Sequence, residues 1–116
     1  YHKGQIEDPV SPHIRKMMEA LGTDHKVIIV TSRPEKNRPN TEAWLKKHNL
    51  DYDQIYMRNN KDFRPAAEVK SDIYHQYIEQ THQVLVAFDD NPEVLKMWNS
   101  KGIPTVEVTE AHMKPL

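Results

Sequence analysis

The sequence predicts an α/β protein of the three-layer, Rossmann-like kind, an open parallel sheet flanked by helices. Helical and strand-like segments alternate along the chain as α-β-α-β-α-β-α-β, the order that right-handed crossovers turn into a parallel sheet. The two strongest strand segments, within residues 26–31 and 84–88, are apolar runs without alternation, as expected of strands covered on both faces. Two helices open on Ser-Pro or Asn-Pro, a capping side chain followed by the residue whose missing N–H costs nothing in the first turn.

The first helix opens at Ser11-Pro12. Ile14, Met17, Met18 and Leu21 follow at i, i+3, i+4, i+7 as one apolar stripe, and Gly22 ends it. Residues 26–31 form the first strand, and the stretch 32–40, with two prolines, is expected to be a loop. Thr41 is expected to cap a short helix through His48 that turns Trp44 and Leu45 inward and stops near Asn49. Residues 54–57 form a weaker strand and 58–62 a polar loop. Pro65 starts a long helix to about Gln80 with Val69, Ile73 and Tyr77 on one face. Residues 84–88 form the second buried strand, which runs into Asp89-Asp90. Asn91-Pro92 opens a helix presenting Val94, Leu95 and Trp98, Gly102 terminates it, and 104–108 is the last strand before a tail at 109–116. No repeat or low-complexity segment interrupts this order, and the 116 residues suit one domain.

Composition sets limits. With 16 Lys+Arg against 17 Asp+Glu, the chain has no whole-surface attraction for nucleic acid, so any such binding needs a local patch. The absence of cysteine excludes disulfides, thiolate zinc sites and cysteine nucleophiles, and fits a reducing, cytoplasmic setting. No apolar run approaches a membrane span, so no membrane partner is expected. The seven histidines have no ligand spacing and are expected at the surface or satisfied. Trp44 and Trp98 are expected to pack helices onto the core. The first residue is Tyr1, so either the start has been removed or the chain is a piece of something longer.

Ligands of open α/β sheets gather at the carboxyl ends of the strands. Thr31-Ser32-Arg33 follow the first strand, Arg58 the second and Asp89-Asp90 the third, while Lys70 lies in the third helix with Arg64 just before it. Taken singly, Thr31-Ser32 is ordinary turn chemistry and each cation a solvated charge. Asp89-Asp90 would also favour the positive end of the next helix, although two adjacent carboxylates repel and one must face the cleft. Together these groups can hold a phosphate, with the carboxylates placing a hard divalent cation, Mg²⁺. Arg33, Lys36, Arg38, Lys46 and Lys47 against Glu35 and Glu42 give a local positive excess, either a solvated face or an attraction for an anionic polymer.

In this order the residues resemble the haloacid dehalogenase (HAD) superfamily and, more narrowly, the phosphatase domain of phage-type polynucleotide kinase–phosphatases. Val-Ile-Ile-Val-Thr-Ser-Arg (27–33) is similar to that family's second motif. Asp62-Phe63-Arg64 with Lys70 is similar to the third, and Val-Ala-Phe-Asp-Asp (86–90) with Val94 and Met97-Trp98 to the fourth. Tyr56-Met57-Arg58 and the ending Pro-Thr-Val-Glu-Val add to the likeness, which spans roughly residues 5–108. The resemblance implies that Thr31 binds the transferring phosphoryl group and Lys70 neutralises its charge. It implies that Asp89 and Asp90 hold Mg²⁺ directly or through water. Ser32, Arg33 and Arg64, with Arg38 and Arg58 behind them, are implied as substrate-phosphate contacts.

One part of the pattern is missing. The family's first motif, Asp-x-Asp-Gly-Thr after an N-terminal strand, supplies its nucleophile and its general acid/base, and this chain has none; Asp8 follows no apolar strand. By analogy the missing strand lies mid-sheet, between the strands ending at Thr31 and Asp89. The expectation is therefore an N-terminally incomplete domain, inactive alone, whose central strand and nucleophile come from another segment or another chain. The implied activity is a Mg²⁺-dependent phosphatase working through an aspartyl-phosphate on a nucleic-acid 3′-phosphate end, with a kinase domain in the parent protein. The alternatives are an inert HAD-like module that binds phosphate, nucleic-acid ends or a partner, and a nucleotidase-type phosphatase of small molecules.

Overall fold

The computed structural model describes residues 12–108; the Ser11 cap, Asp8 and the tail at 109–116 lie outside them. The chain divides into two compact units, one ending at Asn60 and the other beginning at Lys61.

In the first unit, α1 (Pro12–Gly22) half-buries Ile14, Met17, Met18 and Leu21 while Lys16, Glu19 and Ala20 stay exposed, as the stripe requires. Strand β1 (Ile28–Pro34) pairs in parallel with β2 (Gln54–Arg58), and helix α2 (Arg38–Lys47) is the crossover. The register runs from Ile28↔Gln54 to Thr31↔Met57 and then jumps to Pro34↔Arg58, so Ser32 and Arg33 bulge out of the ladder. Asp53 clamps the amino ends of both strands: its Oδ2 accepts the Val27 N–H at 2.7 Å and its own N–H donates to the Val27 carbonyl at 2.8 Å.

Helix α2 begins before Thr41. The expected loop at 32–40 is the end of β1, a 3₁₀ turn (Glu35–Asn37) and the first turn of α2, with Pro39 tolerated there. Arg38 secures this start with two 2.8 Å bonds to Glu35. Thr41 is therefore a buried residue inside the helix, not its cap. The helix ends in a Schellman turn. Asn49 takes φ +56°, its N–H reaches the Lys46 carbonyl, and the Leu50 N–H reaches that of Leu45. Leu45, Leu50 and Met57 are the buried apolar residues of this unit.

In the second unit, α3 (Ala66–Ile73) continues into a π-helical turn, Tyr74–Ile78, closed by the Glu79 N–H on the Tyr74 carbonyl at 2.8 Å. The extra residue in that turn shifts the inward face by one position. Val69 and Ile73 are buried as expected, but Ile78 takes the next inward place and Tyr77 is 48% exposed. Strand β3 (Ala87–Asp89) pairs in parallel with β4 (Thr105–Glu107), joined by α4 (Pro92–Ser100). The Asn91 side chain accepts from the Glu93 and Val94 N–H groups, the expected cap. Gly102, at φ +78°, closes a second Schellman turn, and Ile103 folds back beside Trp98. Val94, Trp98 and Ile103 form the core with Ala66, Ala67, Tyr74, Val84, Ala87 and Met97 around them, and Trp98 meets Tyr74 edge-on at 5.7 Å.

The architecture is thus parallel strands flanked by helices, in two two-stranded sheets. β1 and β3 each have one strand neighbour among the described residues. This explains two corrections to the expected burial. Residues 28–30 of β1 are half-buried instead of covered, and 84–86 do not join β3, leaving Leu85 53% exposed. A parallel strand is sealed by a neighbour on each edge as well as by helices on its faces, and among the described residues one edge lacks it.

Candidate active site

In the second unit, β3 delivers Asp89 at its carboxyl end. Asp89 Oδ1 accepts the N–H groups of Asp90 (2.9 Å) and Asn91 (3.1 Å), and Oδ2 accepts from Lys70 Nζ at 2.7 Å. The pair is nearly enclosed, with the Lys70 and Asp89 side chains 12% and 9% exposed. Helix α3 makes this possible: Val69 is buried beside it, and Lys70 emerges one residue later. Asp90 is more open, yet partial desolvation, then the Asp89 charge and a hydrogen bond with it, hold its carboxyl above the ordinary value, while Lys70 pulls the other way. Two carboxylates therefore stand at the strand end, one of them, Asp89, paired with an ammonium. Their hard oxygens and surplus negative charge fit Mg²⁺, which takes one or two carboxylates and keeps several waters. Among the described residues no group of three or more His, Cys, Asp or Glu could hold a metal, so Asp89 and Asp90 would by themselves supply at most part of a coordination shell.

Arg64 is engaged elsewhere. Its guanidinium bonds Asp62 at 3.0 and 2.8 Å and pairs with Asp72 at 2.6 Å. Residues 70 and 72 lie about 200° apart around an α-helix, so these contacts draw Arg64 towards a different face of α3 from that bearing Lys70. Both carboxylates raise the Arg64 pKa. Phe63, between Asp62 and Arg64, is 88% exposed.

In the first unit, the bulge at Ser32-Arg33 sets the geometry. Thr31 Oγ1 accepts the Arg33 N–H at 3.1 Å, and Arg58 Nε donates to the Ser32 carbonyl at 2.7 Å, so Arg58 fastens the end of β1. Arg33 is only 4% exposed, its Nε has no hydrogen-bond partner, and it forms no ion pair among the described residues. Desolvation lowers its pKa, but a guanidinium does not discharge in a protein, so a positive charge is held here whose Nε has no acceptor among the described residues. Arg38 is the opposite case: Glu35 and Glu42 hold its guanidinium and raise its pKa. With Arg33 buried and Arg38 paired, the expected basic patch reduces to the exposed Lys36, Lys46 and Lys47.

The sequence reading missed three polar atoms on α2. Thr41 Oγ1, Trp44 Nε1 and His48 Nε2 are buried without a hydrogen-bond partner among the described residues, and the Trp44 and His48 rings lie 4.8 Å apart. His48 thus departs from the expectation that every histidine is exposed or satisfied. The only signal in the sequence was the 41, 44, 48 spacing, which equally describes plain packing. The pair Asp51-x-Asp53 offers no substitute nucleophile, because it precedes β2 and Asp53 is committed to the Val27 N–H.

Residues 2–113 match the family model of the polynucleotide kinase PNKP phosphatase domain, a HAD-type family. A protein of Autographa californica nuclear polyhedrosis virus, named as a bifunctional polynucleotide kinase/RNA ligase, is 30% identical over 89 residues, covering 74% of this chain and 13% of the viral protein. Among solved structures, a Pnkp1/Rnl/Hen1 complex contains a chain 24% identical with a TM-score of 0.87, over 93% of this chain and 39% of that one. A chain of the Pnkp1/Rnl/Hen1 RNA repair complex is 25% identical with a TM-score of 0.86, over 90% of this chain and 34% of that one. The chain therefore spans a small part of the viral relative and little more than a third of the structural neighbours.

Proposed function

The chain belongs to the polynucleotide kinase PNKP phosphatase-domain family, and from that premise we propose that it is the greater part of a Mg²⁺-dependent phosphatase that removes 3′-phosphates from nucleic-acid ends. The observation that carries the reading is the enclosed Lys70–Asp89 pair at 2.7 Å with the charge-strained Asp90 beside it. Phosphoryl transfer asks a protein chiefly for positioning and charge stabilisation, and ammonium and carboxylates at a strand end supply both. Bound at Asp89 and Asp90, Mg²⁺ would act as a Lewis acid on a phosphoryl oxygen and offset the carboxylates' repulsion. Lys70 donates to the phosphoryl oxygens as negative charge gathers there, and its bond to Asp89 fixes the direction of its Nζ. The Thr31 hydroxyl donates a hydrogen bond to the transferring group, and Arg33 meets anionic charge with a guanidinium whose Nε has no acceptor among the described residues.

The aspartate that attacks phosphorus lies outside these 116 residues, on a strand carrying Asp-x-Asp. That β1 and β3 each have one strand neighbour among the described residues supports this reading, because unpaired strand edges are costly to leave uncovered. By analogy with the relatives' names we propose a kinase domain and RNA-repair partners in the parent protein. The test is phosphate release by the complete protein from a 3′-phosphorylated oligonucleotide and from a nucleoside 3′-monophosphate. Release that needs Mg²⁺, favours the oligonucleotide and disappears in Asp90→Asn is the expected result. Equal rates on the two substrates refute polynucleotide specificity, and activity of the 116-residue chain alone refutes the external nucleophile.

A further inference from the structure

We propose that Phe63 is a stacking platform for a nucleobase near the phosphorylated end. The inference rests on the reading of the substrate as a nucleic-acid end and names a contact that selects it. Phe63 is 88% exposed, the most exposed of the large apolar residues among the described residues, and it stands between two charged neighbours. Burial in the core does not account for it. Nor is it left loose. Arg64 donates its backbone N–H (3.1 Å) and its Nε (3.0 Å) to Asp62 Oδ1 and an Nη to Oδ2 (2.8 Å), while its other Nη reaches Asp72 on α3 at 2.6 Å. The residues on either side of Phe63 thus pin each other and tie the loop to the helix, so the ring is presented outward on a fixed backbone. Holding a contact residue in place beforehand reduces the ordering cost of binding.

The position suits a nucleic-acid end. Three residues of loop at most ~3.6 Å each and four of helix at 1.5 Å put the Phe63 Cα within about 17 Å of the Lys70 Cα. That is at most about five nucleotide steps at about 3.4 Å per step along one strand. A phosphate held at Lys70 therefore leaves the terminal bases within range of the ring. An aromatic face accepts any base, so the contact favours polynucleotides over small phosphate esters without reading sequence.

The test uses the complete protein and two 3′-phosphorylated oligonucleotides of equal length, one intact and one with its last five nucleotides abasic. Binding is followed by fluorescence anisotropy and phosphate release in parallel. Phe63→Ala is expected to weaken binding of the intact oligonucleotide by roughly tenfold, within the range for one aromatic platform, and that of the abasic one by less than twofold. Phe63→Trp is expected to restore the preference. Equal affinity of the wild-type protein for both oligonucleotides overturns the proposal. Equal losses on both in Phe63→Ala overturn it too, and assign Phe63 to a protein contact. Base-dependent binding through Phe63 without phosphate release supports the platform while refuting the phosphatase reading.

Discussion

Replacing Lys70 by Met tests whether the enclosed pair organises the end of β3. Lys70 Nζ and Asp89 Oδ2 are 2.7 Å apart, with side chains 12% and 9% exposed. Removing one partner of a buried pair costs about 3–5 kcal/mol, because the remaining charge stays desolvated. Asp89 Oδ1 keeps the two N–H bonds from Asp90 and Asn91, so the carboxylate is not wholly abandoned and the lower end, about 3 kcal/mol, applies. Asp89→Asn should cost less, about 1–2 kcal/mol, because a lysine freed of its partner can extend its stem and take its ammonium to water. The double variant should then be less destabilised than the sum of the two by about 2 kcal/mol. Native-state hydrogen exchange on the complete protein, read at the Ala87 and Val108 amides that bond Pro104 and Asp89 across β3, measures the opening of this region without requiring one global transition. A coupling below about 0.5 kcal/mol is the size found for exposed pairs, and would refute the claim that this contact is structurally decisive.

Asn91→Ala removes two hydrogen bonds from the start of α4 and should cost about 1 kcal/mol in protection at the Leu95 amide, with Asn91→Asp recovering it. Arg38 holds the Glu35 pKa below its ordinary value, so this contribution is present above the unfolded Glu value near ~4.3 and is lost as pH falls through the lower folded value. The groups are partly exposed, so the Arg38→Ala deficit should be at most about 1 kcal/mol in urea unfolding at pH 7 and should shrink as acid protonates Glu35. If Lys36, Lys46 and Lys47 track a nucleic-acid backbone, replacing all three by Ala should flatten the dependence of log affinity on log salt by about 2 for a single-stranded ligand, measured by anisotropy. An unchanged slope makes them solubilising charges. Arg33→Met should raise stability by about 1 kcal/mol or more in phosphate-free buffer, because it deletes a buried charge whose Nε has no acceptor among the described residues, while raising the KM for phosphate release. A destabilised variant would show that the charge is met in the free protein.

Much of the fold was legible because its signals were local. Ile14, Met17, Met18 and Leu21 defined a face, Asn91-Pro92 a cap, and Gly102 a turn that few other residues can make. The departures have non-local causes. Nothing in residues 74–78 announces a π turn, so periodicity placed Tyr77 where Ile78 stands. Thr41 has the chemistry of a cap, but Arg38 bonding Glu35 and Glu42 moved the helix start ahead of it. An apolar run such as 84–88 forms a strand only where a neighbour offers a ladder, and here β4 reaches only as far as Ala87. For the site, sequence order named Asp89, Asp90, Lys70 and Arg33 as candidates, but only geometry separated cations already engaged by carboxylates, such as Arg38 and Arg64, from Arg33.

That separation bears on how the phosphatase would work. Lys70 and Arg33 are both cations beside strand ends, yet the fold treats them oppositely: it gives Lys70 a carboxylate at 2.7 Å and leaves the Arg33 Nε buried with no acceptor. A cation already paired gains little from a resting phosphate, because it must share its charge. Its effect grows as negative charge develops on the phosphoryl oxygens, which places its action in the transition state. A buried guanidinium without an acceptor gains from the first anion that reaches it, so its action is ground-state binding. On this argument replacing Lys70 lowers kcat, whereas replacing Arg33 raises KM. The stability that Arg33 costs the free protein is recovered when substrate arrives, because a ligand that binds only the folded state stabilises it in proportion to its occupancy. A fold that kept both cations paired would be more stable and slower to recognise a phosphate. One that kept both unpaired would hold two uncompensated charges. The observed division avoids both.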